Sequence, residues 1–147
     1  MFLEMFPAAA QTAPLRWRRS FPGEAAQAAA VRRFVTLLLG EHVVLDDVLL
    51  SVDELVVNAL RHTRSGRPGG VFTVEIGHMD GTVTVAVQDQ GGSSDPAVTD
   101  AGEHAECGRG LRLVSALAAG WGWFGNEHAR TVTAVFTDKD MSWTSAA

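Results

Sequence analysis

In the stretch Glu54-Leu55-Val56-Val57-Asn58-Ala59-Leu60-Arg61-His62, a carboxylate, an amide and an imidazole recur every four residues. That spacing stacks them along one stripe of a helix. Asp46 is a good N-cap for the run, and Leu49, Val52, Val56, Ala59 and Leu60 supply a core-facing side as far as about Thr63. A helix face that only packs has no need of three such groups in line, and an interior Asn lowers helix propensity. Taken alone, the stripe fits an ordinary solvated polar face equally well.

Upstream, Leu15 to Phe21 alternates Leu15, Trp17 and Arg19 against Arg16, Arg18 and Ser20, as a strand does, and an edge position suits its arginines. Pro22-Gly23 breaks the chain. Val31, Phe34, Val35 and Leu38 then recur at helical spacing over Glu24 to Leu39, with Gly40 as C-terminal cap. Downstream, Ser65 to Gly70 is a loop by composition, and the runs 71–76 and 82–87 form a hairpin through Asp80-Gly81. From Gln88 to Gly110 the periodicity lapses into Gly, Ser, Asp and Ala, a long connection of the kind that carries function. Leu111, Val114, Leu117 and Ala118 restore a helix up to Gly120, and the runs 121–124 and 131–136 are closing strands. Helices and strands in this order do not alternate as in a doubly wound fold. They predict an α/β (α+β) two-layer sandwich: a mixed, mostly antiparallel sheet with three helices on one face.

Two further segments carry chemistry. Asp89 ends an apolar strand and is followed by Gln90-Gly91-Gly92, so its carboxylate can accept from an exocyclic amine while glycine lets a flat ring approach the backbone. An Asp-x-Gly is also a common turn. Gly108-Arg109-Gly110-Leu111 opens the third helix, where free N–H groups and the positive end of the helix dipole attract an anion.

These three segments, in this order and with a loop before the last, resemble the N, G1 and G2 boxes of the Bergerat-fold ATPases (the GHKL, or histidine kinase-like, superfamily). Within it, Glu54 to His62 and Gly108 to Leu111 look most like the bacterial anti-sigma factor serine kinases, over about Leu15 to Phe136. The resemblance implies ATP and magnesium as ligands. It implies that Asn58 ligates the magnesium and Glu54 orients or deprotonates the attacking hydroxyl or water. Asp89 would read adenine, Gly91 would admit the base, Gly108, Arg109, Gly110 and Leu111 would line the phosphates, and Thr131 would support the adenine site. His62 is packing or support. Magnesium prefers oxygen ligands and retains waters, so one amide oxygen plus phosphates suffices. The implied function is an ATP-dependent anti-sigma factor that phosphorylates an anti-anti-sigma protein on serine and binds a sigma factor. The alternatives are a nucleotide-dependent protein-binding module and a scaffold that binds no nucleotide. The resemblance also allows a homodimer.

Two features depart from the family pattern. Ser93 stands where a second G1 glycine is expected, and the 92–107 loop carries Asp95, Asp100, Glu103 and Glu106 against His104, a poor electrostatic lid for a triphosphate. With few apolar anchors, that loop is expected to be poorly ordered without nucleotide.

Composition excludes other classes. A net charge of −5 offers no basic face for nucleic acid. The apolar runs are too short to cross a bilayer. The sole cysteine, Cys107, forms no internal disulfide and is read as a spectator, which fits a cytoplasmic setting. The expected organisation is a flexible arm 1–14, one domain 15–138 and a tail 139–147.

Overall fold

The computed structural model describes residues 14–93 and 105–138. Nearly all of the expected arm, the tail and most of the acidic loop lie outside them. Five strands, β1 (Leu15–Pro22), β2 (Val71–Met79), β3 (Thr82–Asp89), β4 (Gly120–Gly125) and β5 (Arg130–Thr137), form one sheet in the order β1-β2-β3-β5-β4. Three helices, α1 (Ala28–Leu39), α2 (Leu45–His62) and α3 (Ala105–Leu117), join them. This is the sandwich expected, with one correction: every neighbouring pair of strands is antiparallel. The crossover through α3 does bring β4 back parallel to β3, but β5 inserts between the two, so no parallel pair forms.

Alternation along each strand decides which side meets the helices. Val74, Ile76, Val85, Val132 and Ala134 point inward and are essentially fully buried. They meet Val31 and Val35 of α1, Val48, Val52 and Leu55 of α2, and Leu111 and Val114 of α3 in one core. The opposite side of the sheet is polar, with Arg16, Thr73, Glu75, Thr84 and Thr133 on it, which is how an antiparallel sheet presents one face to solvent. The edge position of β1 is as expected.

Local chemistry sets the joints. Asp80 and Gly81 both take positive φ, 48° and 78°, the geometry of a two-residue hairpin turn. Gly40 closes α1, its N–H donating to the Thr36 carbonyl at 2.9 Å. A 3-10 turn at Ala25–Gln27 precedes α1, so the first helix proper starts four residues later than its periodicity suggests. The N-cap of α2 is Val44 rather than Asp46. The turn after α1 is already hydrogen-bonded, His42 N–H to Leu39 O and Leu45 N–H to His42 O, both at 3.0 Å, and it feeds the chain into α2 without a side-chain cap. Asp46 and Asp47 instead lie in the first turn of α2, where their charges favour the helix dipole. Arg32 of α1 meets Asp53 of α2 at 3.3 Å.

The Phe72 ring stacks on Phe21 at 5.5 Å between centroids, and Phe34 meets Phe21 edge-on at 6.0 Å. Phe72 is 1% exposed, so Phe72→Ala leaves a cavity under α1. The expected loss is about 3–5 kcal/mol, read as a lower urea midpoint with an unchanged slope. A loss below about 1 kcal/mol would show that this corner of the sandwich collapses on itself. Among the described residues no helix is long and apolar enough to cross a membrane.

Candidate functional site

The end of α2 is tied to the strand end that carries Asp89. After His62, Thr63 caps the helix, its N–H and hydroxyl both donating to the Ala59 carbonyl. Its oxygen also accepts from the Ser65 N–H at 3.1 Å. This turn delivers the Arg64 N–H to the Gly91 carbonyl at 2.9 Å and the buried Ser65 hydroxyl to the Gln90 N–H at 3.0 Å. The Arg64 guanidinium donates to the Glu127 carbonyl at 2.7 Å, drawing in the connection between β4 and β5. Sequence reasoning missed Ser65 and took Arg64 for a solvated surface charge. Neither carries a periodic signal, because the 3-10 turn at Arg64–Gly66 is too short to show one.

Asp89 closes β3 on its inward side and is 4% exposed. Its Oδ1 accepts the Gly91 N–H at 2.7 Å. Gly91 has φ +75°, and a Cβ there would lie 2.1 Å from the Glu127 carbonyl oxygen, so only glycine fits this turn. Burial pushes the Asp89 carboxyl above its ordinary value. The Gly91 N–H, the Arg130 guanidinium and the Arg130 backbone N–H pull the other way.

Glu54 faces α3. A Cβ added at Gly110 would come within 2.7 Å of Glu54 Oε2, so the glycine is what lets the carboxylate lie against the third helix. Asn58, half-buried, follows one turn along α2, and His62 one turn further, where its carbonyl oxygen would lie 2.7 Å from a Cβ on Gly92. Burial, with the Arg61 and Arg130 charges nearby, holds the His62 imidazole below its usual value, which suits the packing role expected of it. Glu54 thus lies against Gly110 of α3, whereas Asp89 and Gly91 lie beyond His62 at the C-terminal end of α2, and Leu111 is buried in the core.

Two expected placements are corrected. The third helix begins at Ala105, not at Gly108, since Ala105 and Glu106 are themselves good helix formers. Gly108 therefore ends the first turn, just past the helix's free N–H groups, and Gly110 lies further along. Arg109 is on this helix, and its side chain lies outside the described residues. Thr131 is on the wrong side of the sheet. It pairs in register with Gln88 and lines the open face with Arg18 and Phe124. The residue in register with Asp89 is Arg130, 2% exposed, with Nε 3.9 Å from Asp89 Oδ1. One signal in the sequence points to it: Arg130 shares the inward phase of Val132, Ala134 and Phe136, and a charge on that phase must be paired.

The donor set fits a magnesium–nucleotide pair better than a metal held by protein alone. Among the described residues no group of three His, Cys, Asp or Glu side chains converges, whereas one amide oxygen and a nearby carboxylate suit a hard cation that phosphates also coordinate.

The two-layer sandwich carries a carboxylate–amide helix, an Asp-x-Gly strand end and a glycine-bearing third helix. Residues 21–136 match the histidine kinase-like ATPase domain, and the chain belongs to that family. No curated protein matches it. Among solved structures it is similar to that of the RsbU and RsbW domains of Rv1364c from Mycobacterium tuberculosis, with a TM-score of 0.64 and 20% identity. The alignment covers 84% of this chain but 32% of that one, so the likeness concerns the fold of one part of a longer protein.

Proposed function

We propose that this protein binds ATP with magnesium at the α2–α3–β3 junction and works as an anti-sigma regulatory factor with protein serine kinase activity toward an anti-anti-sigma-type partner. The observation that carries the proposal is that α2 seats Glu54 on Gly110 of α3 and, two turns further, brings His62 against Gly92. Family membership supports nucleotide binding. The RsbW domain of the structural neighbour supports the choice of partner class, and so does the resemblance of the helix stripe to anti-sigma kinases. The working unit is residues 15–138, in the cytoplasm, and the family resemblance allows a homodimer.

In this reading Asp89 accepts the amine of adenine, and Gly91 leaves room for the ring. The free N–H groups of the first turn of α3 face the phosphates, with Gly108 and Arg109 directly after them. Asn58 offers its amide oxygen to magnesium, and magnesium when bound offsets phosphate charge. Glu54 takes or orients the proton of the attacking serine hydroxyl, the task of a carboxylate placed one turn from the metal ligand. Positioning and charge stabilisation supply most of the catalysis in phosphoryl transfer.

The test is to incubate the pure protein with γ-labelled ATP and candidate anti-anti-sigma proteins. Label on a partner serine, dependent on magnesium, is the expected result. Nucleotide-dependent partner affinity without any transfer would instead establish the binding-module reading.

A further inference from the structure

The Asp89 carboxylate is covered on every side, its side chain only 3% exposed. An amine reaching it needs an uncovered arc of carboxylate oxygen. Part of the cover is fixed. The Gly91 N–H is held in a turn whose Cβ direction is blocked by the Glu127 carbonyl, and the Arg130 N–H belongs to the backbone of β5. A movable part of the cover is the Arg130 side chain, a long stem with several rotatable bonds. Its Nε lies 3.9 Å from Asp89 Oδ1, and its Nη2 would be 3.1 Å from a Cβ on Gly92. The guanidinium therefore spans from the carboxylate that would read a base to the backbone at Gly92, next to the Gly91 turn.

We infer that Arg130 sets the nucleotide affinity of this site by occupying, in the nucleotide-free protein, the place at Asp89 that the exocyclic amine of a purine takes. The inference rests on the nucleotide reading above and adds a determinant to it. Binding requires the guanidinium to leave the carboxylate, so the apparent affinity is the intrinsic affinity multiplied by the fraction of molecules in which the site is open. Desolvated ion pairs open rarely, because each partner loses its compensation when they part. Arg130 is buried on the inward side of β5, so Arg130→Met keeps its volume and removes its charge, whereas Arg130→Gln keeps a weaker polar tip.

The experiment is titration calorimetry of the full chain with Mg-ADP, wild type beside Arg130→Met and Arg130→Gln, with circular dichroism to check each fold. Both variants are expected to bind at least about tenfold more tightly than the wild type. A merely structural arginine would give the opposite result, since damage near a site does not tighten it. Equal or weaker binding by folded variants, while the wild type binds, overturns the inference and leaves the nucleotide reading standing. Failure of wild type and variants alike to bind millimolar Mg-ADP or Mg-ATP removes the nucleotide reading and this inference with it. Should both variants unfold, the wild type still decides. Its buried Arg130 Nε–H resonance is expected to shift and lose protection at saturating Mg-ADP, and an unchanged resonance refutes displacement.

Discussion

Magnesium-ADP or magnesium-ATP raises the melting temperature of the wild type, and Asn58→Ala and Asp89→Asn each abolish the rise. A ligand that binds only the native state stabilises it by about 2.7 kcal/mol at one hundred times its Kd. For a domain of this size that is roughly 10 °C. Asn58→Ala removes the amide oxygen proposed to hold magnesium from a half-buried position on α2, so the resting protein keeps close to its own melting temperature. At Asp89 the choice of variant matters. Truncation to alanine strands a buried arginine and is expected to cost about 3–5 kcal/mol in its own right, which would blur the ligand effect. Asparagine retains an oxygen for the Gly91 N–H while losing the second acceptor and the charge. Differential scanning fluorimetry across a nucleotide titration reads both. A wild-type shift surviving in both variants would place the nucleotide elsewhere on the protein.

Glu54→Ala keeps nucleotide binding and loses transfer. Its carboxylate lies against Gly110 and is one turn from Asn58, a place that suits a proton acceptor and contributes little to holding phosphates. The expected drop in single-turnover transfer is roughly 10²–10⁴-fold, the usual contribution of a positioned acid or base, with Mg-ATP affinity changed by less than about threefold. Gly110→Ala should mirror it by another route. The new methyl meets the far end of the Glu54 side chain rather than backbone, so the fold accommodates it at a cost of about 1–3 kcal/mol while the carboxylate is pushed off position. Rapid-quench measurement with labelled ATP separates chemistry from binding. Full transfer by Glu54→Ala would remove the residue from catalysis. Loss of binding in the same variant would make it a structural strut between α2 and α3.

The periodicities were enough to place nearly every element, because core-facing residues recur at 3.6 along α1 and α2 and at 2 along β2, β3 and β5. The stripe of Glu54, Asn58 and His62, the Asp89–Gly91 turn and the glycines of the third helix were legible for the same local reason: each is a pattern within a few residues. What failed were statements about how separate strands and helices meet. Thr131 and Arg130 are adjacent in sequence and on opposite sides of the sheet, and only the register of β5 on β3 decides that Arg130 reaches Asp89. Gly110 looks like phosphate-loop material along the chain, and only the packing of α3 on α2 makes it the seat of Glu54. The antiparallel character of the whole sheet likewise follows from the insertion of β5 between β3 and β4, a pairing between segments more than 40 residues apart. Local pattern encodes which face of an element is apolar. Which groups then face each other across the core is settled by register and helix packing, where burial makes an unpaired charge or a colliding methyl costly and so selects one arrangement.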